Sequence, residues 1–239
     1  MDILTLFTQW IDAQIQHYLN AIAQRRADYQ KKNWRWNEDA VRDFNVRISA
    51  LRILRPVLVA ASSLARRHGD GLLTLANIVY NEAGTSNLNA KKAVAYAWLN
   101  RAGTVREPTG AEISEYRPLR ERWEALADSE RLSFLSNFVD CIREAGARLN
   151  DPTPANNDPT RGATHWVSPR GLPVFTNQKD RYARTVDTAT NRAFPKWARS
   201  MTDPEVSRMQ KRGQLGPNYA ELTVLGVERS YFLFYTDVR

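Results

Sequence analysis

The chain has 239 residues, of which 43% are hydrophobic and 25% are charged. This composition is typical of a globular protein and excludes wholesale disorder, and a chain of this length can bury a substantial core without a metal or disulfides. The formal net charge of +8 favours polyanionic partners, which include nucleic acids, acidic lipids and bacterial wall polymers, without choosing among them.

The first part of the chain has two helical patterns. Apolar residues at three- and four-residue steps predict an amphipathic helix over residues 3–31. A second pattern starts near Asn37 and is expected to bend near Pro56. Two such faces pack together as an N-terminal helical hairpin, residues 1–70, which either braces a catalytic domain or presents a docking surface for a delivery partner or an inhibitor.

The second predicted domain, residues 71–239, begins at a Gly-Asp-Gly sequence that ends one helix and opens the next. A long ordered loop is expected over residues 150–173, where proline, glycine and asparagine are frequent. The fold class is α+β, mainly α. Its predicted elements are helices over 72–82, 88–101, 130–148 and 180–194, a short helical turn at 195–198, and a small β-element formed by 221–225 and 231–236.

Glu82 is the candidate catalytic acid, because it lies at the end of an apolar predicted helix. The negative end of the helix dipole and the apolar neighbours Ile78 and Val79 both disfavour its ionised form. A carboxyl group that stays protonated can donate a proton to a leaving oxygen, as breaking a glycosidic bond requires. The alternative is that the helix ends at Gly84 and that Glu82 points into water.

A loop bounded by proline and glycine, residues 158–169, presents Thr164, His165 and Trp166 in consecutive positions. Loops of this kind build binding sites. The three histidines and the single cysteine, Cys141, share no metal-ligand spacing, so no metal is expected. Cys141 lies in an apolar helical run and is a poor candidate nucleophile.

Four sequence blocks within residues 72–236 carry a resemblance to a known family. They are VYNEA at 79–83, AVA at 93–95 with LNR at 99–101, DPT at 158–160 with GATHW at 162–166, and, more weakly, LG at 225–226 with FY at 234–235. The sequence resembles the bacterial cell-wall hydrolases typified by the spore-cortex-lytic enzymes. The resemblance implies a lysozyme-like catalytic domain that cleaves the glycan strands of peptidoglycan, without a cofactor.

On this resemblance, Glu82 falls on the family's catalytic glutamate. Tyr80, Thr164 and His165 are candidates for holding the sugar or fixing Glu82 by hydrogen bonds, and His165 is a weaker candidate base. Trp166 either stacks on a sugar face or is part of the core.

The chain departs from the family pattern after Glu82, because Gly-Thr-Ser follows where the family has arginine, glycine and a second glutamate. With a second carboxylate the reaction would be a muramidase hydrolysis, and without one it would be a lytic transglycosylase reaction that leaves a 1,6-anhydro sugar. Asp158 and Asp151 are candidate second acids, although an aspartate before proline more often starts a turn.

No signal peptide and no transmembrane span are expected from the sequence. We therefore expect synthesis in the cytoplasm and action in the periplasm or wall, as an antibacterial effector delivered to a target cell. A small cognate immunity protein would then protect the producer. Two alternatives remain open, namely a non-catalytic basic module that binds wall or nucleic-acid polyanions and a membrane-active protein, although no nucleic-acid motif favours nucleic acid as a partner.

Overall fold

The structure is a computed structural model that describes residues 2–109, 112–113, 116–169, 195–199 and 201–239. The described residues are mainly helical and include a three-stranded sheet, which confirms the α+β, mainly α class. The chain forms two compact units, one of Met1–Leu72 with Arg117–Val139 and one of Leu73–Tyr116 with Asp140–Arg239. No pattern in the sequence predicted that residues 117–139 belong to the same unit as the N-terminal hairpin. The domain boundary at residue 70 stays a prediction.

The elements follow one another in this order: α1 (Ile3–Lys31), α2 (Arg42–His68), α3 (Gly71–Ala83), α4 (Leu88–Ala102), α5 (Leu119–Ala125), α6 (Asp128–Leu149), α7 (Pro154–Asn157), β1 (His165–Val167), α8 (Asp203–Lys211), β2 (Leu215–Leu222) and β3 (Leu233–Val238). Short 3-10 helices cover Glu38–Val41 and Lys196–Ala198. The predicted helices over 3–31, 72–82, 88–101 and 130–148 are confirmed, as is the helical turn near 195–198. The helix predicted over 180–194 lies outside the described residues.

The first unit is built on the predicted pair of helices. α1 begins after Asp2, whose carboxylate accepts a hydrogen bond from the backbone N–H of Thr5 at 3.0 Å. The ring of Phe7 is fully buried and packs against Trp123 of α5, with a distance of 4.7 Å between ring centroids. Burying aromatic side chains in this way supplies much of the packing energy of a small unit.

Asn37 caps the 3-10 helix that precedes α2, because its side chain accepts from the backbone N–H of Asp39 at 2.9 Å. The predicted start of the second helical pattern is therefore correct, although the α-helix proper begins at Arg42. α2 continues without interruption through Pro56. One helical stretch, Glu38–His68, is long and apolar enough to cross a membrane by length and composition, a criterion that helices of protein cores also meet.

The second unit contains α4, whose residues from Ala90 to Leu99 are nearly all buried. Four of the five alanines in this helix are buried, and their small side chains occupy little space between α4 and its neighbours. The side chain of Asn87 caps its first turn by accepting from the backbone N–H of Ala90 at 2.9 Å. The helix ends at Gly103, where a positive φ of 70° suits a residue without a side chain.

The sheet has the order β1-β3-β2, and both strand pairs are antiparallel. The predicted β-element exists as the pair β2 and β3, but β2 covers 215–222 instead of the predicted 221–225. Its first residues were missed because Gly216 and Pro217 usually interrupt strands. A bulge between Leu215 and Ala220 accommodates them. Strand β1 was not predicted, and its pairing places Trp166 opposite Phe234.

Replacing Gly216 with alanine is expected to destabilise the second unit by about 2 kcal/mol. A Cβ atom there would lie 1.9 Å from Oδ1 of Asp237, which is itself held at a positive φ of 53°. Chemical denaturation measures the effect. The double variant with Asp237→Gly removes the clash and tolerates the positive φ, so its loss should be smaller than the sum of the single losses. An unchanged stability for Gly216→Ala would contradict this reading.

Candidate active site

Glu82 lies in the last turn of α3, where the sequence places it, and its side chain is partly buried. Its neighbours Ile78 and Val79 are fully buried. The indole N–H of Trp166, on β1, donates a hydrogen bond to Oε2 of Glu82 at 2.7 Å. Glu82 therefore does not point freely into water, and it lies against the loop that the sequence singled out.

Burial raises the pKa of Glu82 above its ordinary value of 4.5, because desolvation disfavours the carboxylate. Two effects oppose this rise without cancelling it, namely the hydrogen bond from Trp166 and the positive charge of Arg101. The environment thus favours the protonated acid overall. The Trp166 N–H and the Arg101 charge would stabilise the carboxylate once it forms.

Arg101 of α4 lies over the rings of both Trp98 and Trp166, which contact each other with 6.5 Å between ring centroids. Its guanidinium carbon is 4.9 Å from the ring centroid of Trp98 and 4.9 Å from that of Trp166. Burial lowers the pKa of Arg101, which nevertheless remains far above neutrality for a guanidinium. Cation–π contacts of this kind are worth about 1 kcal/mol each, so Arg101 fixes the indole that contacts Glu82.

Glu112 lies beside Arg101 and Arg106 and carries the opposite charge. Its carboxylate accepts hydrogen bonds from both terminal nitrogens of Arg106, at 2.6 and 2.8 Å, and lies 4.0 Å from Arg101. The bonds from Arg106 lower the pKa of Glu112 to about 2. Glu112 is therefore ionised at any pH near neutrality and serves as a fixed counter-charge.

Asp158 organises the loop that leads to β1. One carboxylate oxygen accepts from the backbone N–H and the hydroxyl of Thr160, at 2.7 and 2.6 Å. The other accepts from the side-chain amide of Asn100 and the backbone N–H of Gly162, each at 2.7 Å. Both oxygens are thus occupied in holding the loop against α4, and its predicted role as a second acid stays untested.

His165 and Thr164 interact with each other: Oγ1 of Thr164 lies 3.0 Å from Nδ1 of His165. The imidazole also packs edge-on against Trp197, with 5.5 Å between ring centroids. Burial, and secondly the charge of Arg101, lowers the pKa of His165 to about 4. The imidazole is therefore neutral at physiological pH and can accept a proton or a hydrogen bond.

The ring of Tyr80 lies against Gly84, one turn further along the chain. A Cβ atom at Gly84 would be 2.9 Å from Cδ2 of Tyr80, so only glycine fits there.

Asp151 accepts a hydrogen bond from the hydroxyl of Tyr96 and one from the side chain of Asn157 at 2.9 Å. Like Asp158, it supports the loop by hydrogen bonding.

The structure directly joins two of the predicted site residues, Glu82 and Trp166, and it brings the side chains of Thr164 and His165 into contact with each other. Sequence reasoning gave no site role to Arg101 or Trp98. Their spacing of three residues on one helix was the available signal, because such residues share a face. In the part of the chain that the structure describes, no group of three His, Cys, Asp or Glu side chains could hold a metal ion.

Replacing Trp166 with phenylalanine removes the N–H donor and keeps most of the ring. Without that donor the pKa of Glu82 should rise further, because the hydrogen bond favours the carboxylate. The titration midpoint of Glu82 should therefore lie at higher pH in Trp166→Phe than in the wild type. Carbon-13 NMR titration of the Glu82 side chain measures the shift.

Trp34→Phe is the control, because it makes the same ring change at an exposed tryptophan of the first compact unit. It should leave the Glu82 midpoint where it is in the wild type. Equal shifts in the two variants would show that the Trp166 hydrogen bond does not set the ionisation of Glu82.

Comparison with known proteins adds no family or function: no family model, no curated protein and no solved structure matches the chain.

Proposed function

We propose that this chain cleaves the glycan strands of peptidoglycan and that Glu82 is its general acid. The observation that carries the proposal is the partly buried Glu82 carboxyl, which has a raised pKa and accepts the indole N–H of Trp166. A carboxyl group whose protonated form is favoured by burial against apolar side chains matches the requirement for protonating a leaving sugar oxygen.

In the proposed first step, Glu82 transfers its proton to the oxygen between N-acetylmuramic acid and N-acetylglucosamine. The glycosidic bond breaks, its electron pair stays on that oxygen, and positive charge develops on the sugar ring. Glu82 becomes a carboxylate as this happens. The Trp166 N–H and the Arg101 charge both favour that carboxylate. They therefore lower the barrier to bond breaking, during which negative charge develops on Glu82.

The second step depends on what attacks the positive sugar centre. Asp158, Asp151 and Glu112 are each occupied by hydrogen bonds within the protein. These bonds support a reaction without a second carboxylate, in which the 6-hydroxyl of the muramic acid attacks. The Glu82 carboxylate then takes up the hydroxyl proton, and the product carries a 1,6-anhydro end.

The proposed site of action is the periplasm or wall of a target cell, reached by delivery from a producing cell that carries an immunity protein. A net charge of +8 supports attraction to the anionic polymers of a bacterial wall. Targeting the wild-type chain to the periplasm of a test bacterium should cause lysis. Harmless expression of the folded chain there would contradict the effector role.

Mass spectrometry of digests of purified peptidoglycan in water labelled with oxygen-18 tests the proposed activity. We expect new 1,6-anhydro ends, which are lighter than reducing ends by one water and carry no label. Labelled reducing ends would instead indicate muramidase hydrolysis. Binding to peptidoglycan without any new glycan end would contradict the proposal and favour a non-catalytic module.

A further inference from the structure

α2 carries an apolar stripe about a third of a turn away from the residues that it buries. Two of its members, Val46 and Ile53, are exposed at 63% and 70%. Ala60 is also exposed, and the remaining members are half-buried. The outer stripe consists of Val46, Ala50, Ile53, Val57, Ala60 and Leu64.

The members of the outer stripe follow one another at alternating steps of four and three residues. This 3.5-residue period is the pattern of a helix that packs lengthwise against another helix. The residues that face the core of the hairpin, such as Leu51 and Leu58, form the neighbouring apolar stripe. The outer stripe therefore borders the buried face, and three of its six members are exposed.

The spacing of the outer stripe and its order of large and small residues are the same in both directions along the helix. Its midpoint lies at residue 55, and an antiparallel copy would place Val46 opposite Leu64 and Ala50 opposite Ala60. Ile53 would then lie opposite Val57. Large side chains meet large ones at the centre and the ends, and the paired alanines between them allow close approach of the two helices.

The charges at the two ends of α2 favour the same arrangement. The start of the helical stretch has a net negative charge, because Glu38, Asp39 and Asp43 outnumber Arg42, which pairs with Asp39. Basic residues occupy its last turn, namely Arg66, Arg67 and His68. Antiparallel packing brings the acidic end of each copy beside the basic end of the other, whereas parallel packing brings like charges together.

We propose that the outer stripe of α2 is an interface at which a second copy of this chain packs antiparallel, related by a two-fold axis near residue 55. Such an isologous contact closes on itself and gives a dimer. The proposal uses only the first compact unit and does not depend on the proposed enzymatic activity.

Light scattering coupled to gel filtration tests the dimer. The wild-type chain should have about twice the monomer mass of 27.3 kDa, and Ile53→Asp should have the monomer mass with an unchanged helical circular dichroism spectrum. Leu19→Asp is the matched control, because Leu19 is an exposed leucine on α1 at 39%. It should remain dimeric. A wild-type monomer at high protein concentration would overturn the proposal.

Cysteine cross-linking tests the direction of packing, in a background in which the buried Cys141 is replaced by alanine. A mixture of Val46→Cys and Leu64→Cys chains should form a mixed disulfide dimer. Val46→Cys alone should not cross-link, because antiparallel packing places its two copies about 27 Å apart along the helices. Efficient cross-linking of Val46→Cys alone would overturn the antiparallel arrangement.

A membrane is the competing occupant, because the same helical stretch meets the length and composition criterion for crossing one. Flotation with phosphatidylglycerol vesicles distinguishes it. If the stripe is a dimer interface, Ile53→Asp should not reduce the amount of protein that floats with the vesicles. A wild-type chain that is monomeric in solution and floats only with Ile53 intact would overturn the proposal in favour of a lipid surface.

Discussion

Replacing Glu82 with glutamine is expected to lower the rate of glycan cleavage by about 10²- to 10⁴-fold, the usual contribution of a general acid. Glutamine has nearly the same size, and its carbonyl oxygen can still accept the Trp166 N–H. It cannot donate a proton to the leaving oxygen at any pH. Release of labelled fragments from purified peptidoglycan measures the loss, and thermal unfolding verifies that the variant is folded.

Glu124→Gln makes the same chemical change at an exposed glutamate of α5. This control should keep the wild-type cleavage rate. A folded Glu82→Gln protein that still cleaves at the wild-type rate would remove Glu82 from the chemistry. If the wild type binds peptidoglycan without cleaving it, and Glu82→Gln binds equally well, the chain would instead be a wall-binding module.

Replacing Asp158 with alanine is expected to cost about 3 kcal/mol of stability, because it leaves buried donors without an acceptor. The donors are the backbone N–H and hydroxyl of Thr160, which is fully buried, and the amide of Asn100. The loop that holds Trp166 against Glu82 should loosen, so cleavage falls as well. Urea denaturation measures the stability.

Asp158→Asn distinguishes a loop anchor from a second acid. Its amide oxygen can keep the bonds from Thr160, but its amide N–H₂ would face the donors of Asn100 and Gly162. A loop anchor therefore predicts reduced stability for this variant too. A variant with wild-type stability and no cleavage would contradict that role and would make Asp158 the second acid.

The long helices α1, α2, α3, α4 and α6 were predictable, because their apolar residues recur with the helical period. The short helices α5, α7 and α8 were not predicted, and the strands were predicted only in part. β1 has three residues, too few to show alternation, and its order comes from pairing with β3. The start of β2 was hidden by Gly216 and Pro217, which the bulge accommodates. Such features depend on partners distant in the chain, and local sequence does not carry them.

For the candidate site, sequence reasoning found the acid and the loop but not the groups that tune them. Glu82 and Trp166 are 84 residues apart, and the hydrogen bond that joins them exists only in the folded chain. The contact of Arg101 with Trp166 likewise depends on how α4 packs against β1. The helix end and the apolar neighbours predicted the direction of the Glu82 pKa shift, whose largest cause is burial, whereas the opposing effects of Trp166 and Arg101 come from tertiary packing.

Titration of the Glu82 side chain by carbon-13 NMR, with cleavage rates recorded on the same samples, tests most directly whether Glu82 is the protonated acid. Its signal is assigned by its absence in Glu82→Gln. We predict a midpoint above 4.5, and a cleavage rate that falls as the pH rises through that midpoint, because only the protonated acid can donate. A midpoint at or below 4.5, or a rate that stays constant across it, would contradict the role of Glu82.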